Sequence, residues 1–144
     1  MKQMKSCIFL ALVTYCGAGH ASTFPSKTAA KAFTDQVMAK VATGDIVGGL
    51  KLMKPYTVVP SAEFDSMIGQ VSLQLPAIGQ RFGRSVGVEF INEQKVGESV
   101  EELVYLGKFE RTVMRWRFYL YKGPSGWTIN SFKFDDQIQD LFTH

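Results

Sequence analysis

The spacing of apolar residues changes once along the chain, from a helical repeat to a strand repeat, near residues 83–86. After Ser26, apolar side chains recur every three to four residues. The members of this stripe are Ala30, Phe33, Val37 and Val41. The stripe predicts a first helix. The Ser26 hydroxyl can accept a hydrogen bond from an early backbone N–H, and Gly44 is a typical residue to follow the helix end.

Two further helical segments are predicted before the change in spacing. Asp45 can cap a short helix, although Gly48 and Gly49 within it each cost up to about 1 kcal/mol relative to alanine. Ser61 is predicted to cap a longer helix. The apolar face of that helix is Phe64, Met67, Ile68, Val71, Leu75 and Ile78. Pro76 has no backbone N–H and clashes with the preceding turn, so a kink or break is predicted there.

From Val86 onward apolar and polar residues alternate, which predicts antiparallel strands. A reversal is predicted at Gly97-Glu98. The strands predicted beyond it are residues 101–110, 113–122 and 127–134. Residues 122–126 are rich in turn formers and close the last hairpin. A final short helix is predicted to start at Asp135-Asp136, with Ile138, Leu141 and Phe142 anchoring it.

The last hairpin also predicts a register. Its predicted opposite pairs are Tyr121 with Trp127, Trp116 with Phe132, and Met114 with Phe134. One face of the third strand is then entirely apolar. It consists of Met114, Trp116, Phe118 and Leu120. A sheet with one apolar face packs its helices on that face, and each large side chain buried there contributes roughly 1.5–3 kcal/mol.

The first 21 residues have the features of a secretory signal peptide. Lys2 and Lys5 precede a short apolar run, and small residues, Gly19 and Ala21, mark a cleavage site. The prediction is therefore an exported protein, periplasmic or extracellular, with residues 22–144 as its single domain. The apolar run is about half as long as the roughly 20 residues that cross a bilayer, so no stable membrane insertion is predicted after signal removal.

Removal of this segment also removes chemistry and charge. Both cysteines and His20 lie in it, so His144 is the one imidazole expected to remain, and no thiol remains. Loss of Lys2 and Lys5 takes the 16 basic residues to 14 against 13 acidic ones, so the net charge falls from +3 to +1. No nucleic-acid partner, metal site, cofactor or set of catalytic residues is predicted.

Two stretches carry a resemblance to a known class of domain. They are Ala42-Thr43-Gly44-Asp45 after the first helix, and the closing hairpin formed by residues 116–121 and 126–132. Together with the order of elements, they resemble the NTF2-like (cystatin-like fold) superfamily, in particular its small exported bacterial members of unassigned activity. The resemblance implies N-terminal helices packed on a curved four-stranded antiparallel sheet, an α+β cone with a pocket inside. Enzymatic members hold an acidic base in that pocket. No such set maps onto this chain, and the missing histidine excludes the forms that use a His–Asp pair.

Six residues are the candidates to line the pocket. They are Phe64, Met67, Tyr105, Trp116, Phe118 and Asn130. Plain core packing is the alternative for the apolar and aromatic members. Asn130 is predicted to lie in register with the apolar face, where a buried amide needs partners, and hydrogen bonding to backbone is its alternative role.

The opposite face of the third strand is a candidate surface for a partner. Its residues are Arg115, Arg117, Tyr119 and Tyr121. A solvated outer face is the alternative interpretation. Among the carboxylates, Asp135 and Asp136 are interpreted as helix caps. Glu89, Glu101 and Glu102 are interpreted as cross-strand partners of the arginines.

The predicted function is an exported, non-enzymatic domain that binds a small apolar ligand or a protein partner. One alternative is a pocket enzyme of the lyase or isomerase type that uses a single carboxylate base, with Glu63 or Asp65 as candidates. Another is a structural or assembly partner, including a homodimer, that acts through the outer sheet face. A carboxylate deep in a cavity with a raised pKa would favour the enzyme.

Overall fold

Three α-helices precede a four-stranded antiparallel sheet in the computed structural model, which describes residues 20–142. Residues 1–19, which hold most of the predicted signal peptide, and residues 143–144, which include His144, lie outside the described residues. No helix within residues 20–142 has both the length and the apolar composition that a membrane crossing requires. The predicted α+β class, with the helices packed on the sheet that follows them, is confirmed.

The helical half follows the predicted order. Its elements are α1 (Lys27–Ala42), α2 (Ile46–Met53), a 3-10 helix (Lys54–Tyr56) and α3 (Ser61–Phe82). The start of α1 is capped as predicted, because the Oγ of Ser26 accepts a hydrogen bond from the backbone N–H of Ala29 at 3.0 Å. The predicted apolar stripe of α1 faces the core, with Ala30, Val37 and Val41 buried and Phe33 partly buried against it.

The two glycines of α2 are required by their surroundings. A Cβ on Gly48 would collide with the carboxylate of Asp45, which accepts a hydrogen bond from the Gly48 backbone N–H and so caps the helix. A Cβ on Gly49 would lie 2.9 Å from the carbonyl oxygen of Val37, so this glycine lets α2 approach α1 closely. The intrinsic cost of glycine in a helix is therefore offset by a cap and by close packing.

The predicted cap of α3 is wrong, and the break that was one of the two outcomes predicted at Pro76 does not occur. Ser61 is the first helical residue, and it follows Pro60, which makes no side-chain capping bond. The helix is not broken at Pro76, which lies within its 22 residues. The lost N–H leaves the carbonyl group of Ser72 without its helical donor. Both residues are exposed, so water can solvate that carbonyl and the helix continues.

The sheet is a simple meander in the order β1-β2-β3-β4. Its strands are β1 (Ser85–Val96), β2 (Val100–Phe109), β3 (Val113–Gly123) and β4 (Gly126–Asp135). The residues after β4 form a 3-10 helix at Ile138–Leu141, which we call the C-terminal 3-10 helix. The predicted start of a helix at Asp135 is wrong, since Asp135 is the last residue of β4.

The predicted register of the last hairpin is wrong by one residue near the turn and by two beyond it. Lys122 pairs with Trp127, and Trp116 pairs with Phe134. The first shift arises because the turn is tighter than predicted, with Gly123 paired to Gly126. The second arises at a β-bulge, where Asn130 stands between the residues that pair with Leu120 and Tyr119. The partner of Trp116 is therefore shifted by two residues in total, from Phe132 to Phe134. A shift of two residues leaves the partner on the same face of the sheet, so Trp116 still pairs with an inward-facing side chain.

The core lies between the apolar face of the sheet and the helices. Trp116, Phe118 and Leu120 on β3 are completely buried. The ring of Trp116 stacks on Phe134 with a centroid distance of 4.6 Å, which fits the observed register rather than the predicted one. On α3, Phe64 is also completely buried and lies near the β4 strand. The prediction that helices cover the apolar face of β3 is confirmed.

Candidate functional site

The aromatic residues predicted to line a pocket lie in the core. Phe64, Trp116 and Phe118 are completely buried, and Met67 is partly buried. Tyr105 is buried edge-on against Phe118, with ring centroids 5.7 Å apart. None of these side chains lines the cavity of about 690 Å³ described below. The structure thus brings these residues together as part of the hydrophobic core, which was the alternative interpretation of them.

The Tyr105 hydroxyl group is held by α1. It donates a hydrogen bond to the Oδ1 of Asp35 at 2.6 Å and lies 2.8 Å from the Oγ1 of Thr34. Burial and the bond to the Asp35 carboxylate raise the pKa of Tyr105. These bonds fix the tyrosine between the sheet and α1, and they use the hydroxyl that a ligand would otherwise contact.

Asn130 is not on the apolar face. It is exposed, because the bulge removes it from the inward–outward alternation of β4. The sequence offered a weak signal for this position: two polar residues, Asn130 and Ser131, separate Ile129 from Phe132, where strict alternation would place one. The placement of Asn130 in register with the apolar side chains is therefore wrong.

The proposed outer surface is divided in two by the C-terminal 3-10 helix. Arg115 is only 1 % exposed, and its guanidinium group contacts Asp135 at 2.9 Å and Asp140 of that helix at 3.2 Å. Arg117 is partly buried and lies 3.7 Å from Glu102. Burial is the largest single effect on Asp135 and acts against its ionisation. The hydrogen bonds from Arg115 and from the Gln137 backbone N–H, together with the positive charges of Arg115 and Lys133, outweigh it and hold the pKa of Asp135 below its ordinary value. The prediction of a free Arg115 is wrong because the chain itself covers it.

The two tyrosines of the predicted surface stay accessible. Tyr119 is partly buried and Tyr121 is 44 % exposed. Across the sheet, Tyr121 pairs with Val100, and Val100 pairs with Val96. The two valines are 40 % and 74 % exposed, so an apolar row of three side chains crosses β1, β2 and β3 on the outer face. We call these three residues the outer apolar row.

The carboxylates suggested as bases do not occupy a cavity. Glu63 and Asp65 are exposed on α3, and Asp65 forms an ion pair with Lys54 at 2.6 Å. Asp135 and Asp136 pair with arginines rather than capping a helix, at 2.9 Å to Arg115 and 3.2 Å to Arg81. Within residues 20–142, no three carboxylate, imidazole or thiol side chains lie close enough together to hold a metal ion.

Glu101 is the carboxylate that sequence reasoning misplaced. It is completely buried, and burial raises its pKa. The alternation of β2 carried the signal for its position. Leu103 and Tyr105 face inward, so Glu101, two residues before Leu103, shares their face rather than that of Arg115 and Arg117.

A cavity of about 690 Å³ opens where the C-terminal half of α3 meets the start of β1 and the end of β2. We call it the α3–β1 cavity. Its apolar lining is Ile46, Leu75, Ile78 and Phe109. Its polar and glycine lining is Thr43, Gly44, Gly79, Gly83, Arg84, Ser85, Glu110 and Arg111. Cavities of a few hundred to a thousand Å³ with apolar walls and a few polar groups are typical of small-molecule sites.

Charged side chains at the rim of the α3–β1 cavity are fixed by local bonds. Arg84 donates two side-chain hydrogen bonds to Glu110, at 2.8 and 3.1 Å, and its backbone N–H donates a third at 2.9 Å. These bonds lower the pKa of Glu110, so it is ionised. Arg111 donates to the carbonyl oxygen of Gln80 at 2.9 Å. Two arginines against one glutamate leave the rim with one net positive charge.

Glycine keeps part of this cavity open. A Cβ built on Gly79 would meet no atom within 4 Å, so a side chain there would project into empty space. The same holds for Gly69, which lies on the same helix but does not line the cavity. The two positions therefore form a matched pair for experiments.

The architecture consists of helices packed on a four-stranded antiparallel meander. No family model and no curated protein matches the chain. Among solved structures, a DUF4783 family protein from Bacteroides uniformis ATCC 8492 is similar at 10 % identity and a TM-score of 0.47, covering 72 % of this chain and 95 % of that one. A Campylobacter jejuni protein, provisionally named an NTF2-like transpeptidase, is similar at 15 % identity and a TM-score of 0.48, covering 71 % and 97 %.

A second DUF4783 family protein, from Bacteroides fragilis YCH46, is similar at 13 % identity with a TM-score of 0.46, covering 70 % of this chain and 95 % of that one. Likeness at this level carries no conclusion about the activity of this chain. What the chain binds must be inferred from its own residues.

Proposed function

We propose that this chain is an exported binding domain that holds a small molecule, with an apolar body and an acidic head group, in the α3–β1 cavity. The observation that carries the proposal is the combination of four apolar side chains in the wall with a net positive rim around a cavity of about 690 Å³. No step of chemistry is required of the protein.

The apolar wall supplies the binding free energy. A ligand that buries about 200 Å² of hydrocarbon gains about 5 kcal/mol, at about 25 cal/mol per Å². Association costs at least about 4 kcal/mol, so the wall alone gives weak binding. A charge-assisted hydrogen bond to the head group adds about 1.5–3 kcal/mol, which makes the rim decisive for affinity.

Arg111 is the residue best suited to bind the head group. Arg84 is already held by Glu110 through three bonds, whereas Arg111 gives one side-chain bond to Gln80 and keeps other N–H donors. An arginine with spare donors binds a carboxylate in two-point geometry. Acidic ligands should therefore bind more tightly than neutral ligands with the same hydrocarbon body.

The test compares Gly79→Leu with Gly69→Leu. Both changes replace an exposed glycine of α3 with the same good helix former, but only leucine at position 79 fills the cavity. Titration with octanoate, followed by amide chemical shifts, should give saturable changes in residues 43–46, 75–85 and 109–111. Gly79→Leu should lose these changes and Gly69→Leu should keep them.

A head-group variant completes this test. Arg111→Gln should weaken octanoate binding by about tenfold, equivalent to about 1.4 kcal/mol, and leave octanol binding unchanged. Absence of saturable shifts with both compounds, or equal binding by the two glycine variants, would refute the proposal.

The outer apolar row favours a second candidate function, the binding of a protein partner. Val96, Val100 and Tyr121 are accessible and adjacent, and aromatic side chains are enriched at interfaces. A second copy of the chain, as in a homodimer, is the simplest partner. Tyr121→Glu should then lower the mass measured by light scattering to that of one chain. Leu73→Glu, at an 84 % exposed apolar position on α3, is the control and should leave the mass unchanged.

A further inference from the structure

The chain after β4 folds back over the outer face of the sheet. We call residues 137–142 the C-terminal strap; they include the C-terminal 3-10 helix. The Oδ2 of Asp140 lies 3.2 Å from the Nη2 of Arg115 and 4.0 Å from the Nη2 of Arg117. The side chain of Asp140 is 53 % exposed, so it meets both arginines from the solvent side of the sheet.

A groove of about 320 Å³ lies between the C-terminal strap and the first three strands. We call it the strap groove. Its apolar wall is Ile91, Val104 and Leu141, and its charged wall is Glu102, Arg115, Arg117 and Asp140. The strap groove is on the same face of the sheet as the outer apolar row, but it shares no residue with that row or with the α3–β1 cavity.

The charges of the strands around the groove do not balance without the strap. The cations are Arg115, Arg117 and Lys133, which pairs with Arg117 across β3 and β4. The carboxylates are Asp135, at 2.9 Å from Arg115, and Glu102, at 3.7 Å from Arg117. Three positive charges against two negative ones leave one net positive charge. The strap supplies the balancing carboxylate through Asp140.

The hold of the strap on the groove is incomplete. The ion pairs of Arg117 with Glu102 and Asp140, at 3.7 and 4.0 Å, are longer than hydrogen bonds, so this guanidinium group keeps donors for a better-placed acceptor. The 3-10 helix that carries Asp140 has four residues and no side-chain cap. A helix this short has little stability of its own. The strap therefore stays in place through its contacts with the sheet.

We propose that the strap groove is a docking site for a protein partner that presents a carboxylate side chain followed by an apolar side chain, and that the C-terminal strap occupies it as a pseudoligand. Asp140 marks the position of the partner carboxylate, within reach of Arg115 and Arg117. Leu141 marks the position of the apolar side chain, in the wall that it shares with Ile91 and Val104.

The strap sets the affinity for such a partner. A segment of the same chain competes at a high effective concentration. The apparent affinity of the partner is reduced to the fraction of molecules whose groove is open. Asp140→Ala removes the charge that holds the strap, leaves both arginines in place and should raise that fraction.

The probe is a fluorescent peptide with the sequence of residues 137–142, Gln-Ile-Gln-Asp-Leu-Phe, blocked at both ends so that it carries a single charge. Anisotropy measures its binding to the full chain. We expect Asp140→Ala to bind the peptide at least about tenfold more tightly than the unchanged protein does, as for one charge-assisted hydrogen bond. The same peptide with Asn in place of Asp should bind at least about tenfold more weakly to Asp140→Ala.

Three further variants decide the outcome. Asp136→Ala is the matched control, because Asp136 pairs with Arg81 at 3.2 Å outside the groove, and this variant should bind the peptide as the unchanged protein does. Asp140→Asn keeps the shape of the strap and should change binding in the same direction as Asp140→Ala. Arg117→Gln, combined with Asp140→Ala, should lose the gain in affinity.

The proposal is overturned if Asp140→Ala binds the peptide no more tightly than Asp136→Ala, if the Asp and Asn peptides bind equally, or if Arg117→Gln leaves the gain intact. Light scattering tests a second copy of the chain as the occupant. A mass of two chains that falls to one chain in Asp140→Ala would show that the strap of a second copy fills the groove, and it would overturn the assignment to a different protein. Octanoate binding in the α3–β1 cavity has no bearing on these results, so the two proposals fail separately.

Discussion

Glu101 and Arg115 are the two charged residues that are buried within residues 20–142, and they are satisfied to different degrees. Arg115 donates three side-chain hydrogen bonds to two carboxylates, Asp135 and Asp140. Glu101 shares the Lys27 ammonium group with Glu93. A buried charge with several partners is typical of a structural ion pair, whereas burial with few partners raises the pKa of a carboxyl group.

Arg115→Met should destabilise the protein by about 3–5 kcal/mol, because it leaves Asp135 partly buried without its bidentate partner. Arg117→Met is the control, since Arg117 is more exposed and its ion pairs are longer, and it should cost less than about 1 kcal/mol. Urea unfolding at neutral pH measures both. Equal losses for the two variants would contradict the structural role of Arg115.

Glu101→Gln should stabilise the protein at neutral pH but not in acid. Because burial raises the pKa of Glu101 in the folded state, its contribution to stability is complete below the unfolded pKa of about 4.3 and is lost as the pH rises through the folded pKa. Glutamine does not titrate, so the variant avoids that loss. Urea midpoints at several pH values should coincide in acid and separate as the pH rises. A variant less stable than the unchanged protein at neutral pH would contradict this account.

At the scale of single residues, the sequence predicts well whether most large apolar side chains face the core, and it predicts the partners of charged side chains poorly. Trp116, Phe118 and Phe64 are buried as their spacing implies. Arg115 was expected on the outer face of the sheet, because strand alternation puts it on the other face from its neighbour Trp116. The outer face is correct. Its burial depends on the C-terminal 3-10 helix folding back over β3, a contact between distant segments that no local pattern contains.

At the scale of elements, α3 carries a residue that opposes its own helix. Pro76 lies inside the helix and costs about 3 kcal/mol relative to alanine in a helix interior. The helix persists because its apolar face, which includes Phe64, Ile68 and Val71, packs on the core. Tertiary packing therefore outweighs local propensity here.

Pro76→Ala should raise stability by about 1–3 kcal/mol, since it restores the N–H donor to the Ser72 carbonyl group, less the entropy that alanine adds to the unfolded chain. Pro60→Ala is the control, because Pro60 precedes the first helical residue and interrupts no helical bond. Thermal unfolding compares the two. If Pro76→Ala melts no higher than Pro60→Ala, then Pro76 does not destabilise α3, and the prediction is contradicted.

Strand existence was predictable from alternation, but the register of β3 and β4 was not. The run of turn formers at residues 122–126 was correctly located, yet several turn lengths fit it, and the shorter one moves the pairing by one residue. The bulge at Asn130 adds a second shift and has no strong signature in the residues around it. Beyond the bulge the two shifts restore the predicted faces, so Phe132 and Phe134 pack against the core. Between the turn and the bulge the predicted faces are reversed, and Trp127 and Ile129 are buried there.

At the scale of the whole molecule, the chain before α1 is tied to the sheet. The Ser22 backbone N–H donates to the carbonyl oxygen of Pro55 at 2.7 Å, and Phe24 forms a two-bond bridge with Trp127 on β4. Cleavage after Ala21 leaves these contacts in place. The proposed export is therefore compatible with the fold of the domain.

Protein isolated from its own host should begin at Ser22. A signal peptidase reads small residues at the positions of Gly19 and Ala21, and intact mass after denaturation reports the cleavage site directly. Changing Ala21 to a bulky residue, Ala21→Phe, should block processing and retain the full-length mass. A host protein that keeps residues 1–21 without such a change would contradict the prediction of export.

The α3–β1 cavity could not be predicted from the sequence. The wall of the α3–β1 cavity comes from the end of α1, the start of α2, the second half of α3 and two strands, and its shape depends on how these elements meet. Phe109 and Ile46 look like ordinary core residues in the sequence. Residues predicted as pocket lining were chosen for size and face alone, and those properties identify the packed interior rather than a gap in it.

The most direct test of the proposed function is native mass spectrometry of the protein purified from its own host, alongside its Gly79→Leu and Gly69→Leu variants. The account predicts an added mass, released on denaturation as a small organic acid, in the unchanged protein and in Gly69→Leu, and no added mass in Gly79→Leu. A bound molecule retained equally by both variants, or none in any of the three proteins, would contradict it.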